Sequence, residues 1–254
     1  MKTRTAFRFL PLLLAGMASP LQAAVLFAEN FESRVLGPFV SASESGGDGT
    51  DWTDVAPAGW VRNQNATPVG GPAEFFGFTF MDKQSWINTE GNQERALWAG
   101  GTGTVMVADP DAYDDGWAGL GGPNFNVNIT TPAISLANVS ANTVTLGFDS
   151  TFRAEGGQTA RVDVTFDGNN FVNLITYDSA LLQDAEIINT LHSIPVNNPG
   201  SGTMQFRFTL TNAGNNWWFA VDNVNVQGTV VPEPSAGLLS LLALGGLSRR
   251  RRRA

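Results

Sequence analysis

From Thr143 onward the chain alternates apolar and polar residues with a period of two. Val144, Leu146 and Phe148 alternate with Thr143, Thr145 and Gly147, and Val162, Val164 and Phe166 with Arg161, Asp163 and Thr165. Met204, Phe206, Phe208 and Leu210 alternate in the same way with Thr203, Gln205, Arg207 and Thr209. Successive side chains of a strand point to opposite faces, so this pattern predicts antiparallel strands buried on one face only. Asp167-Gly168 marks a hairpin between Val162–Phe166 and Phe171–Thr176, and the extra Asn169-Asn170 makes its loop longer than two residues.

The first half is less regular. Val25–Glu32 reads as a strand, with Phe27, Glu29 and Phe31 on one face and Leu26, Ala28, Asn30 and Glu32 on the other. A Ser/Gly/Asp-rich loop covers Ser41–Asp54, Pro57-Ala58-Gly59-Trp60 reads as a turn, Val105–Ala108 as a short strand, and Asp109–Gly116 as an acidic turn. In Ser179–Leu191, the spacing of Leu181, Leu182, Ala185 and Ile188 fits a helix, and a strand after a short turn fits the same residues. Trp217–Val226 is the last strand. No repeat of fixed period stands out. Short strands, long loops and almost no helix predict an all-β fold: a two-sheet antiparallel sandwich of jelly-roll-like form.

The two ends differ from this body. Three basic residues, the apolar stretch Phe9–Met17 and the small residues up to Ala24 form a secretory signal peptide over residues 1–24. At the other end Pro232-Glu233-Pro234 precedes the apolar run Ala236–Leu247 and five arginines, Arg249–Arg253. The prolines stop a preceding strand and hold the linker extended. The run is shorter than the ~20 residues that span a bilayer comfortably, and the arginines favour a cytoplasmic end. This tail resembles the PEP-CTERM sorting signal of Gram-negative bacteria that make exopolysaccharide. The resemblance implies export by the Sec machinery, transient membrane insertion through 236–247, and processing by an exosortase that recognises Pro232, Glu233 and Pro234. The implied location is the cell envelope, cell surface or extracellular matrix. An ordinary tail anchor is the alternative. The expected domains are therefore a leader (1–24), a β-sandwich (25–229) and a sorting or anchor segment (230–254).

Between the two ends lie seven basic and 22 acidic residues, and the chain has no cysteine. So acidic a body disfavours nucleic acid and anionic lipid and favours divalent cations or neutral glycans. Without cysteine, neither a disulfide framework nor a thiolate metal site is possible.

Two charges fall in an apolar phase. Asp222 shares a register with Trp218, Ala220, Val224 and Val226, and Glu29 shares one with Phe27 and Phe31. Buried carboxylates need compensation, by oxygen-ligated Ca2+ or by backbone and indole hydrogen bonds. The segments ENFES (29–33), PAGW (57–60), TPAISL (131–136) and WFAVDNVNV (218–226) resemble jelly-roll domains of the MAM and carbohydrate-binding-module kind. That resemblance implies neighbouring first and last strands and a structural calcium, with Glu29, Glu32 and Asp222 as its ligands. A second Ca2+ candidate is the acidic turn with Asp109, Asp111, Asp114 and Asp115. Its spacing is more compressed than an EF-hand's, and a solvated loop is the alternative.

Seven tryptophans stand mostly beside Gly, Asn or Asp. Trp52, Trp60, Trp86, Trp117 and Trp217 are candidate sugar platforms, and caps on the sandwich core are the alternative role. His192 is the only histidine and no Gly-x-Ser-x-Gly elbow accompanies it, so it reads as a satisfied structural histidine. The expected function is a non-enzymatic extracellular protein that binds matrix polysaccharide. A polysaccharide hydrolase and a purely structural matrix or envelope protein are the alternatives.

Overall fold

A computed structural model describes residues 22–37, 51–115 and 122–231. The leader before Gln22, Trp117, Gly116, the Pro-Glu-Pro motif and the apolar run after it lie outside the described residues. In chain order the strands are β1 (Gln22–Glu29), β2 (Trp52–Thr53), β3 (Val61–Asn63), β4 (Thr79–Asp82), β5 (Thr104–Ala108), β6 (Phe125–Thr130) and β7 (Ile134–Ser135). They continue with β8 (Val144–Arg153), β9 (Thr159–Thr165), β10 (Val172–Asp178), β11 (Ile187–Val196), β12 (Thr203–Ala213) and β13 (Phe219–Val230). Two short helices, α1 (Lys83–Thr89) and α2 (Pro110–Asp114), flank β5.

The strands form an antiparallel sandwich. One sheet has the order β11-β8-β13-β5-β4-β2, with β1 also pairing β13, and the other the order β10-β9-β12-β6-β3, with β7 on β12. Ala23–Val230 make one compact unit. The alternation seen after Thr143 is the inside–outside alternation of β8, β9 and β12: Val144, Leu146, Phe148, Val162, Val164, Met204, Phe206, Phe208 and Leu210 are all buried between the sheets. Rings interdigitate there. Phe208 stacks on Trp60 at 6.4 Å between centroids and takes Phe148 edge-on at 5.5 Å. The β9–β10 loop is held by Asp167, whose Oδ1 accepts from the amides of Asn169 (2.8 Å) and Asn170 (2.7 Å). These donors, with the Asn170 and Thr165 side chains, hold its carboxyl well below the usual range.

The structure corrects two expectations, at the first and last strands, and decides for the strand after a short turn over the helix between 179 and 191. β1 ends at Glu29, because the chain turns at Phe31 with φ 60° and buries that ring. Between 179 and 191 only a single 3-10 turn, Ser179–Leu181, forms before β11. Ala185 has φ 61°, which no α-helix tolerates, and β11 pairs along the whole of β8, from Ile187↔Arg153 to Val196↔Val144. That ladder satisfies far more backbone than one turn of helix does. The last strand begins at Phe219 and carries a bulge between Asp222 and Asn225, where Asn223 has φ 54°.

Candidate functional site

Pairing of β1 with β13 brings the chain's first acidic segment to the bulge of its last strand. Asp222 is buried there and lies directly opposite Asp149 of β8. Like charges in facing positions repel, so the carboxylates must be held by other groups. Asp222 accepts from the amides of Thr102 (3.1 Å, at Oδ2) and Asn223 (2.6 Å, at Oδ1). Glu32 Oε1 accepts from the Thr104 amide (3.2 Å), and Asn223 Nδ2 donates to Gly100 O (3.1 Å) and to Asp149 Oδ2 (3.2 Å). Lys83 provides the positive charge, its Nζ donating to the carbonyls of Trp98 and Gly101. Glycines let the acids approach the backbone of this loop closely. A Cβ at Gly100 would collide with the Asp149 carboxylate, and one at Gly103 with that of Glu32. Burial, then the nearby Glu32 and Asp149, push the Asp222 carboxyl up to about 6 against the pull of its two amide donors.

Asp222 is therefore compensated by backbone amides, the alternative weighed beside calcium. Glu29 turns its Oε1 onto the Phe31 amide (2.8 Å) and lines a cavity of ≈540 Å³ with Asn30, Ser33, Asn223 and Asn225. Among the described residues no three acidic or histidine side chains are gathered as metal ligands.

The acidic turn is a helix N-terminus. Asp109 caps α2 through the Ala112 amide (3.2 Å), Asp111 and Asp114 lie on the helix, and Asp115 ends it. Asp109 is fully buried: its Oδ2 accepts from Arg95 Nη2 at 2.7 Å and from the Trp86 indole at 2.9 Å. That ion pair withdraws Asp109 from any calcium loop. The Arg95 guanidinium lies against the rings of Trp86 (5.0 Å) and Trp218 (4.4 Å), which meet each other edge to face at 5.5 Å, and it donates to Glu90 O and Gly91 O. Glu90 is buried beside this pair, and burial, with Asp109 and Glu74 as like charges, raises its carboxyl to about 7. Sequence reasoning missed this knot. Its one signal is a lone arginine, in Arg95-Ala96-Leu97-Trp98, among few basic residues.

The tryptophans divide sharply. Trp52 (4% exposed), Trp60 (7%) and Trp86 (0%) are core residues and present no ring to a sugar, which corrects their assignment as platforms; Trp98 and Trp218 are buried too. Trp217 is half-buried, the one described tryptophan that is not fully buried, and the Arg153 guanidinium lies 4.0 Å from its ring centre. Beside it the segment joining β12 to β13 borders a cavity of ≈490 Å³ lined by Asn212, Gly214, Asn215, Asn216, Gly122 and Gly157. Gly214 N donates to Asn216 Oδ1 at 2.6 Å, which sets that amide at the rim.

His192 Nε2 lies 3.0 Å from Ser150 Oγ and 2.5 Å from Tyr177 Oη, and its ring stacks on Phe148 at 4.2 Å. Ser150 has no exposure, so this serine–histidine contact opens onto no substrate. Burial lowers the His192 pKa, and Asp149 opposes the shift.

No family model matches the chain, and no curated protein does. Among solved structures it is similar to the Stig cyclase Fisc from Fischerella sp. TAU, solved with an indole ligand (12% identity, 83% of this chain and 100% of that chain, TM-score 0.45). It is also similar to the K1 cleaved adhesin domain of Lys-gingipain from Porphyromonas gingivalis W83 (15% identity, 74% and 96%, TM-score 0.42). A third is TmCBM61, solved in complex with β-1,4-galactotriose (11% identity, 66% and 88%, TM-score 0.40).

Proposed function

We propose that this chain is an exported, non-enzymatic protein that binds a neutral polysaccharide in the cleft beside Trp217. One observation carries the reading: of the described tryptophans only Trp217 is not buried, and it directly follows Asn215 and Asn216, which line a cavity with Asn212, Pro123 and three glycines. A flat ring next to amide donors and acceptors matches the apolar face and hydroxyls of a sugar ring. Export through Sec, exosortase processing at Pro232-Glu233-Pro234 and a place in the envelope or matrix of a Gram-negative bacterium belong to the same proposal, supported by the two terminal segments. Affinity electrophoresis of the full chain in gels containing the host's exopolysaccharide tests the binding. Retardation that Trp217→Ala abolishes is expected, and unchanged mobility on every neutral glycan sinks the reading. For the sorting proposal, mass spectrometry of the native product should find a carboxyl terminus near the Pro-Glu-Pro motif; an intact chain in the cytosol refutes it.

A structural Ca2+ is a second reading, favoured by the facing pair Asp149 and Asp222 with Glu32 beside them and one ammonium, Lys83, to offset three carboxylates. Glu29, Glu32 and Asp222 would hold the ion, which would have to displace the Thr102 and Thr104 amides from their present acceptors.

A further inference from the structure

The polar phase of β9 and β12, read from the sequence only as a solvent face, holds a built cationic site. Two rows of cross-strand partners traverse all five strands of the second sheet's main path. One row is Val61, Thr130, Arg207, Asp163 and Asn173, and the next is Asn63, Asn128, Thr209, Arg161 and Thr176. Their neighbours along each central strand, Val162, Val164, Phe206, Phe208 and Ile129, are buried between the sheets, so both rows lie on the outer face. Strands about 4.8 Å apart make each row about 19 Å long.

At the centre of these rows two arginines share one oxygen. Arg161 Nη2 and Arg207 Nη2 stand 3.3 Å and 3.2 Å from Asp163 Oδ2, while Asn173 Nδ2 donates to Oδ1 at 3.1 Å. Asp163 is buried and fixes both guanidinium groups. Arg207 is further held flat against the Phe171 ring, 3.7 Å from its centre. One carboxylate meets two guanidinium groups, so a positive charge is left over; Arg161 Nε and Arg207 Nε are themselves buried, without a hydrogen-bond partner. Acids at the margins are engaged elsewhere: Asp167 organises its own loop and Asp178 accepts from the Ala180 amide.

We propose that this face binds the carboxylates of an acidic, uronate-bearing polysaccharide. The arginine pair supplies fork-shaped donors that match a carboxylate, and the flanking Asn63, Asn128, Thr130 and Thr176 supply amides and hydroxyls that match sugar hydroxyls. The body's negative charge does not forbid this, since at about 0.15 M salt charges more than ~8 Å away are largely screened while the central pair acts at contact. The site lies on a sheet face, whereas the Trp217 cleft lies at the β12–β13 connection, and it rests on its own residues.

Affinity electrophoresis of the full chain at about 0.15 M salt in gels carrying polygalacturonate, its methyl ester, or polyglutamate tests the assignment. Polygalacturonate is expected to retard the protein and the methyl ester, with the same backbone but masked charge, to do so at least ten-fold less. The triple variant Arg161→Gln, Asp163→Asn, Arg207→Gln leaves no buried unpaired carboxylate. It should melt within a few degrees of the parent and lose polygalacturonate retardation at least ten-fold, while Trp217→Ala keeps it. Absence of retardation by polygalacturonate, equal retardation by acid and ester, equal retardation by polyglutamate, or an unaffected triple variant would each overturn the site. If the triple variant melts early, Arg161→Lys with Arg207→Lys keeps both charges and removes the fork; undiminished retardation of that protein overturns the site equally.

Discussion

Arg95 and Asp109 are joined by a 2.7 Å ion pair in which neither side chain meets solvent. Desolvating two charges is costly, and what compensates is the rest of the knot: the Trp86 indole on the same Oδ2, two carbonyls on Arg95 Nη1, and the rings of Trp86 and Trp218 against the guanidinium. Removing one member strands the others. Asp109→Ala is expected to destabilise the protein by about 3–5 kcal/mol, mostly through the uncompensated Arg95. Urea unfolding with an unchanged slope and a lowered midpoint is the expected result; a midpoint within about 0.5 kcal/mol of the parent's contradicts the account.

Glu90 sits in the same knot with its carboxyl raised from 4.5 to about 7. Over that interval the folded protein holds a proton that the unfolded chain has released. Its stabilisation is therefore complete below pH 4.5 and is lost as pH rises through about 7. Glu90→Gln mimics the protonated form, so it should match the parent near pH 4.5 and be more stable at pH 8 by about 2 kcal/mol. Equal differences at the two pH values would show that Glu90 does not titrate in this range.

Trp217 and Trp86 should respond oppositely to truncation. Trp86→Ala opens a cavity in a fully buried site and is expected to cost about 3–5 kcal/mol. Trp217→Ala is expected to abolish retardation by neutral glycan while changing stability by less than about 1 kcal/mol, although Arg153 loses its ring partner. Paired thermal melts and affinity gels separate the two outcomes.

If Ca2+ is held by Glu29, Glu32 and Asp222, adding it should raise Tm and EDTA should reverse the gain. The effect should weaken as Asp222 takes up its proton near pH 6. A melt indifferent to Ca2+ and EDTA at pH 8 leaves Lys83 and the loop amides as the sole compensation.

The sandwich was legible because β8, β9 and β12 are buried on one face and polar on the other, and that asymmetry is written directly as a period of two. Asp222 was legible for the same reason, since it interrupted an apolar phase, although the bulge at Asn223 was not. Arg95, Glu90 and Asp109 lie on short turns and helices with no period, so nothing in their spacing announced that they meet. The tryptophans misled in a consistent way: Gly and Asn neighbours do mark irregular backbone, but here those segments fold over the edges of the core and bury their rings. Arg161 and Arg207 were read correctly as outward residues, yet their shared grip on Asp163 depends on the β9–β12 register, which no single strand records.

The final strand, β13, runs between β8 and β5 and also takes β1, so three earlier strands depend on the last residues of the body to be made. While the chain is being synthesised, its larger sheet has no middle. Closure of that sheet must wait for Phe219–Val230. A ribosome-tethered chain with residues up to 215 outside the tunnel should be cut readily by protease within β8, and one with residues up to 231 outside should resist; protection of the shorter chain would show that the sheet assembles without its centre.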